Sequence, residues 1–267
     1  MLEEIADYTR ERINEKKKRI PFEEMVDLAQ QANAARDLGD DGTNEPFRFE
    51  KALRTSDISF IGEVKKASPT KGIIAEQFPY VQIAKEYEAA GIAAISVLTE
   101  PHYFKGSDSY FTQIAKEVST PLLRKDFTVD PYMIYEAKVM GASAVLLICA
   151  LLGDELTAYL QTAHRLGLSA LVETHTKQEI ESAVKADARI IGVNNRDLKT
   201  FTVDVAVSER LRPYVPKDKI FLSESGIQTP QDIKRLRAIG TDAVLIGETF
   251  MRSTDKAAEL LKLRGSC

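Results

Sequence analysis

From about Asp57 to the C-terminus, short runs of β-prone residues alternate with amphipathic helical patterns in units of roughly 26 residues. Parallel strands need a long crossover between them, and a helix in each unit supplies it. Eight strands are read, at approximately Ile58–Val64, Ala93–Leu98, Pro121–Arg124, Ala142–Ile148, Ser169–Glu173, Arg189–Val193, Lys219–Ser223 and Ala243–Ile246. Helices between them carry end signals. Val81, Ile83, Ala84, Tyr87 and Ala90 share a face that stops at Gly91, and Pro131, Ile134, Ala137 and Val139 one that stops at Gly141. Others are expected at Glu155–Leu166, Lys177–Lys185, Val205–Leu211, Pro230–Ile239 and Lys256–Leu263. Repeated strand–helix pairs without a long polar linker favour an α/β fold with a closed (β/α)8 TIM barrel over an open doubly wound sheet.

The chain has 267 residues, 44% of them hydrophobic, enough for one large core. Residues 1–267 therefore read as a single barrel domain, with residues 1–50 as an N-terminal helical extension. That extension shows helical patterns at Glu3–Lys18 and Phe22–Arg36, and Gly39-Asp40-Asp41-Gly42 reads as a loop. The basic run Lys16-Lys17-Lys18-Arg19 could steer an anion but is expected to be a solvated helix face. A net charge of −4 argues against nucleic-acid binding. The acidic N-terminus has no apolar leader core, and no uncharged run reaches membrane-spanning length, so a cytoplasmic protein with no membrane partner is expected. Cys149 and Cys267 give no disulfide framework or thiolate metal site, and His102, His164 and His175 match no ligand spacing and read as surface or loop residues. No apolar stripe beyond the barrel helices demands a second copy, which makes a monomer the expectation.

Three strands run straight into ionisable residues. Ile61-Gly62-Glu63-Val64-Lys65-Lys66-Ala67-Ser68-Pro69 carries an acid and two lysines into a turn; Pro121-Leu122-Leu123-Arg124-Lys125-Asp126-Phe127 and Ala170-Leu171-Val172-Glu173 follow the same grammar. Barrel strands share one mouth at their C-terminal ends, so Glu63, Lys65, Lys125 and Glu173 are expected to form one site. The sixth strand leaves through Val193-Asn194-Asn195-Arg196-Asp197-Leu198, with groups suited to hydroxyls and a carboxylate. Ser223-Glu224-Ser225-Gly226-Ile227 follows the seventh strand and Leu245-Ile246-Gly247-Glu248 closes the eighth. Paired glycine loops at these two positions let backbone N–H groups approach one phosphate. A helix end contributes only ~0.3–1 kcal/mol to an anion whereas micromolar binding needs about 8, so the rest of the ligand must be held elsewhere.

In this order these segments resemble indole-3-glycerol phosphate synthase, over nearly the whole chain, extension included. The resemblance implies conversion of 1-(2-carboxyphenylamino)-1-deoxyribulose 5-phosphate into indole-3-glycerol phosphate, with loss of carbon dioxide and water, in tryptophan biosynthesis. It implies a small-molecule substrate with phosphate and carboxylate groups, and no cofactor or metal. On the matching positions, Lys125 would be the general acid for ring closure, its pKa depressed by a second ammonium at Lys65. Lys65 would also meet the substrate carboxylate, with Glu63 orienting and charge-balancing it. Glu173 would serve dehydration as base or electrostatic partner, leaving the division of that step with Lys65 and Glu63 open. Asn194 would hold a hydroxyl, Arg196 the carboxylate end, and Glu224 with Ser225 the polar wall. Gly226, Gly247 and the Glu248 amide would grip phosphate; some relatives have serine at the last position, so only the backbone contact carries over. Ser68, Pro69, Phe104, Phe127 and Leu146 would bound the site, the apolar ones packing the aromatic ring.

Two alternatives share the phosphate end. Phosphoribosylanthranilate isomerase would be expected to use a Cys/Asp pair where the first strand here offers Glu63 and Lys65. A catalytically silent phosphate-binding barrel would keep Gly226 and Gly247 but need none of the reactive residues. The segment from Val64 to Ile74 is long enough to act as a lid.

Overall fold

The computed structural model describes residues 1–34, 45–197 and 200–265. The expected loop at Gly39–Gly42, Arg36 at the end of the second helical pattern, Leu198 and Cys267 lie outside these residues. Eight parallel strands close into a barrel: β1 (Ser59–Val64), β4 (Ala94–Leu98), β5 (Leu122–Lys125), β6 (Ala144–Ile148), β7 (Ser169–Thr174), β8 (Ile190–Asn194), β9 (Ile220–Glu224) and β10 (Ala243–Ile246). Each pairs with its sequence neighbour among these strands, and β10 pairs with β1 to complete the ring. The sequence therefore forms the expected (β/α)8 barrel.

The strand ends differ from expectation in one useful way. Lys125, Asn194 and Glu224, placed just beyond the strands by their polarity, are the last residues of β5, β8 and β9. Charged and amide side chains weaken an apolar β signal, but here the backbone ladder continues through them. The Leu98↔Lys125 and Asn194↔Glu224 pairings set these residues in register on rigid strands.

Inside the barrel, residues two apart on a strand point the same way. Ile61, Ala94, Leu123, Ala144, Leu146, Leu171, Ile190, Leu222, Ala243 and Leu245 fill it as a packed core. The opposite strand faces, including Phe60, Ile95, Val145, Val172, Ile191, Phe221 and Val244, form the core beneath the outer helices.

The outer helices are α4 (Tyr80–Ala89), α5 (Asp108–Glu117), α6 (Tyr132–Val139), α8 (Leu156–Arg165), α9 (Lys177–Lys185), α10 (Ala206–Leu211), α11 (Pro230–Ala238) and α13 (Lys256–Arg264). The sequence reading missed α5, which is capped by Ser107 and buries Phe111 and Ile114. It also missed the short helices α7 (Cys149–Leu152) and α12 (Glu248–Arg252), which are too brief to show a period. The expected lid contains an antiparallel hairpin, β2 (Ala67–Ser68) with β3 (Gly72–Ile73), where φ of +63° at Gly72 suits glycine.

The extension covers both ends of the barrel. Its first helix, α1 (Leu2–Arg19), brings Met1, Leu2 and Ile5 to the mouth. The unanticipated α3 (Arg48–Leu53) packs Phe49 and Leu53 against the barrel interior, and the Glu50 backbone N–H donates to Ser169 Oγ at the start of β7. Between them α2 (Phe22–Ala34) lies on α6. The basic run of α1 is not simply solvated: Lys16 pairs with Asp108 (2.5 Å) and Glu136 (2.6 Å), and Lys17 with Asp130 (2.5 Å). Lys18 alone pairs within its own helix, with exposed Glu15. Half of the run thus tethers the extension to the barrel.

Candidate active site

The C-terminal strand ends surround a cavity of about 460 Å³. Every site residue expected from the sequence lines it: Glu63, Lys65, Ser68, Pro69, Phe104, Lys125, Phe127, Leu146, Glu173, Asn194, Arg196, Glu224, Ser225, Gly226, Gly247 and Glu248. Strand alternation accounts for the convergence. Glu63 and Lys65 are two apart, and Lys65 Nζ lies 2.5 Å from Glu63 Oε1. Across the barrel, Lys125 Nζ is 3.2 Å from Glu224 Oε2 and 3.5 Å from Glu173 Oε2. Asn194 donates from Nδ2 to Glu173 Oε1 at 3.1 Å.

This charge balance sets the protonation states. Burial works against the Lys125 ammonium, but Glu224, Glu173 and Glu63 outweigh it and raise its pKa well above the ordinary lysine value. The expected depression by Lys65 is therefore overturned: Lys65 is neutralised by Glu63, while two carboxylates stand beside Lys125. Burial also opposes ionisation of Glu63, yet Lys65, Lys125 and Arg196 hold its carboxyl below the usual range. Glu224 goes the other way. Burial, with the charges of Glu173 and Glu63 against the pull of Lys125, pushes it up to about 7. Its Oε1 is buried without a hydrogen-bond partner among the described residues.

The apolar part is built on the loops after β4 and β5. Phe104 and Phe127 rings stand 6.0 Å apart, and Leu98, Leu146 and Ile148 continue the wall. Buried Glu100 accepts the backbone N–H groups of His102, Tyr103 and Phe104, fixing the Phe104 loop. Asp126 accepts the Phe127 N–H at 2.8 Å, two bonds from Arg12 Nη2 at 2.8 Å and the Thr99 hydroxyl at 2.6 Å. A helix of the extension thus anchors the residue next to Lys125.

At the opposite wall, Ser225 and Gly226 both have left-handed backbones, φ +69° and +83°. A non-glycine residue there costs of order 1–3 kcal/mol unless its surroundings hold it. Asn195 does the holding: its Nδ2 donates to Ser225 O and Ser223 Oγ, both at 3.0 Å, and its Oδ1 accepts from Ser208 N–H and hydroxyl. Sequence reasoning named Asn195 only as half of a carboxamide pair. Alternation along β8 points Asn194 inward and signals no such role for its neighbour. Leu98 and Ile148 could have been found by the same alternation; Met1, Leu2, Ile5, Phe201 and Val203 also line the cavity but carry no local signal.

Among the histidines, His102 is exposed, while His164 is half-buried against Phe47 and held down to about 4 by burial and Arg189. His175, like His164 on α8, departs from the surface reading. It is half-buried, between Glu173 and Glu179.

Comparison with known proteins agrees with this geometry. The family model for indole-3-glycerol phosphate synthase matches residues 2–263. The chain is 55% identical to the indole-3-glycerol phosphate synthase of Ruminiclostridium cellulolyticum, over 100% of this chain and 99% of that protein. It is 46% identical to that of Thermoanaerobacter pseudethanolicus, covering 98% and 97% of the two chains. Among solved structures, a 3-hexulose-6-phosphate synthase superposes with a TM-score of 0.61 at 14% identity, covering 78% of this chain and 99% of that one, a likeness of fold alone. With a matching family model over almost its full length and close relatives end to end, this chain belongs to the indole-3-glycerol phosphate synthase family.

Proposed function

We propose that the cavity closes the indole ring of 1-(2-carboxyphenylamino)-1-deoxyribulose 5-phosphate, releasing carbon dioxide and water to give indole-3-glycerol phosphate. The observation that carries this reading is Lys125, a half-buried ammonium between Glu224 and Glu173, with the Glu63–Lys65 pair across from it and two glycine loops at one wall. Family membership makes the chain a lyase of tryptophan biosynthesis; the assignment of roles to residues is our own.

The substrate phosphate is held by the backbone after β9 and β10: Gly226, Gly247 and the Glu248 amide at the start of α12, where this architecture commonly binds phosphate. Its ring lies between Phe104, Phe127 and Leu146, over Ser68 and Pro69 of the hairpin. Lys65 and Arg196 meet the carboxylate. The aromatic carbon that bears this carboxylate attacks the ketose carbonyl, and Lys125 delivers a proton to the developing alkoxide. Its raised pKa keeps it protonated and ready at neutral pH. Loss of carbon dioxide then restores the aromatic ring. In the last step the new hydroxyl takes a proton from the Lys65 ammonium and leaves as water while Glu173 takes the proton from the adjacent carbon; Asn194, Glu224 and Ser225 hold the hydroxyls. The unpartnered Glu224 Oε1 is an acceptor for one of them.

Residues 1–267 act as one unit in this reading, a monomeric barrel with residues 1–50 as its extension, because α1 supplies cavity wall and α3 barrel floor. Among the described residues no helix is long and apolar enough to cross a membrane, and no group of three His, Cys, Asp or Glu side chains is arranged to hold a metal ion. A cytoplasmic location and a requirement for neither cofactor nor metal are part of the proposal. Turnover of the named substrate by chelator-treated protein without additions tests it; carbon dioxide and indole-3-glycerol phosphate should form in equal amounts. Tight binding without turnover would favour the silent barrel.

A further inference from the structure

His175 follows directly on β7, two residues after Glu173, and its side chain is only 13% exposed. Nε2 faces Glu173 Oε1 at 3.5 Å and Nδ1 faces Glu179 Oε2 at 3.5 Å. Among the described residues neither nitrogen has a hydrogen-bond partner, and each faces one carboxylate at ion-pair distance when the imidazole is protonated. Glu179 is itself fixed. It lies in the first turn of α9, its N–H donates to the capping Thr176 hydroxyl, and its Oε2 accepts the His175 backbone N–H at 2.7 Å.

We infer that His175 is a positioning residue for Glu173: clamped by Glu179, its imidazole holds the Glu173 carboxylate turned toward the cavity. The inference rests on the reading of Glu173 as the dehydration base. Chemistry favours an ionic partner over a neutral one at this place. Glu173 Oε1 already accepts from Asn194, and Oε2 faces Lys125, which it shares with Glu224. The Lys125 ammonium is thus divided between two buried side chains, and a cation at His175 would give Glu173 a partner that it does not share with Glu224. The groups facing the imidazole supply the conditions for that charge: Glu173 from β7, Glu179 from α9, and Glu224 at longer range from β9. Cys149 of α7, whose Sγ approaches the Glu179 carbonyl at 3.5 Å, is pushed up to about 11 by burial and adds no charge at neutral pH. Burial alone would lower the His175 pKa, but these carboxylates outweigh it and raise it. A base that gains its proton from substrate and returns it to solvent needs such a partner to keep one orientation through both states.

Two measurements on the full chain separate this inference from the reaction itself. The first is the imidazole titration of His175 by NMR in the ligand-free protein, wild type beside Glu173→Gln and Glu179→Gln. The midpoint should fall in both variants, and an unchanged midpoint in Glu173→Gln overturns the inference whether or not the chain turns over substrate. The second is the pH profile of kcat for His175→Gln. Loss of the cation should lower kcat about 10-fold with KM changed by less than about 3-fold, and move the acidic limb toward neutral pH. Glu179→Gln should move the limb the same way by less. A merely structural role would lower thermal stability and leave the limb in place, and that result overturns the inference. If the wild type itself made no product, the reaction reading would fall, and the titration would still decide the ion pair.

Discussion

Gly247 faces the Glu63 carboxylate so closely that a Cβ on it would overlap Oε1 and stand 2.8 Å from Lys65 Nζ. The glycine of the phosphate loop and the acid–lysine pair of β1 are thus one packed unit. Gly247→Ala should therefore impair more than the phosphate grip. We expect weaker binding of phosphate-bearing ligands together with a drop in kcat of about 100-fold, since a displacement near 1 Å in a pair that positions the substrate is that costly. Steady-state kinetics beside titration with glycerol phosphate checks this; loss of affinity with unchanged kcat would show that the pair shifts without consequence.

Asn195 offers a test of the strained loop. It is buried and joins β8, β9 and α10 by hydrogen bonds to Ser223, Ser225 and Ser208. Asn195→Ala takes this partner from Ser225 O, while the Ser208 and Ser223 hydroxyls keep each other at 2.7 Å, and should destabilise the fold by about 1–3 kcal/mol. Phosphate-ligand affinity should fall with it because Ser225 is freed to leave its left-handed backbone. Urea denaturation and the same ligand titration read both effects; a stable variant with full affinity would deny Asn195 its role.

Glu224 makes the stability of the fold depend on pH. Its folded pKa, about 7, is above the ordinary 4.5, so the folded chain binds that proton more tightly than the unfolded one. The resulting stabilisation is complete below about 4.5 and is lost as pH rises through about 7. Glu224→Gln removes this dependence. Between pH 5 and 8 the wild type should lose roughly 1–3 kcal/mol relative to the variant. Parallel denaturation curves across that range would contradict it.

The tether of the extension is testable at Arg12. Asp126 is buried and accepts two hydrogen bonds from the guanidinium, which gives a third to Thr99 O at 3.3 Å. Arg12→Ala leaves that carboxylate with the Thr99 hydroxyl, the Phe127 N–H and Arg124 at 4.0 Å in place of its close cation, and should cost about 3 kcal/mol. Because Asp126 adjoins Lys125 and orients Phe127, kcat should fall as well. A thermal melt and an activity assay suffice; unchanged values for both would mean that the ion pair contributes nothing.

Much of the barrel and its mouth was legible because each strand keeps period two until it reaches its functional residue. Ile61 and Glu63, Leu123 and Lys125, Leu171 and Glu173, Leu222 and Glu224 are the same signal four times: an inward apolar residue, then an inward charge. Ionisation was not legible, since Lys125 is governed by carboxylates about 50 and 100 residues away in sequence, which only barrel closure brings near. The same holds for Lys16 and Lys17, whose partners lie on α5, α6 and the loop between β5 and α6. His175 was read as a loop residue because position alone cannot reveal that a carboxylate waits on either side.

The most direct test pairs turnover with binding at Lys125. Wild-type protein and Lys125→Ala are mixed with 1-(2-carboxyphenylamino)-1-deoxyribulose 5-phosphate, and the fluorescence of the indole product is followed; calorimetry measures substrate affinity of the variant. We expect wild-type turnover, a loss of at least about 100-fold in kcat for Lys125→Ala, and substrate affinity kept within about 3-fold, because the acid acts on charge that develops in the transition state. Near-normal turnover by Lys125→Ala would contradict the role given to this residue.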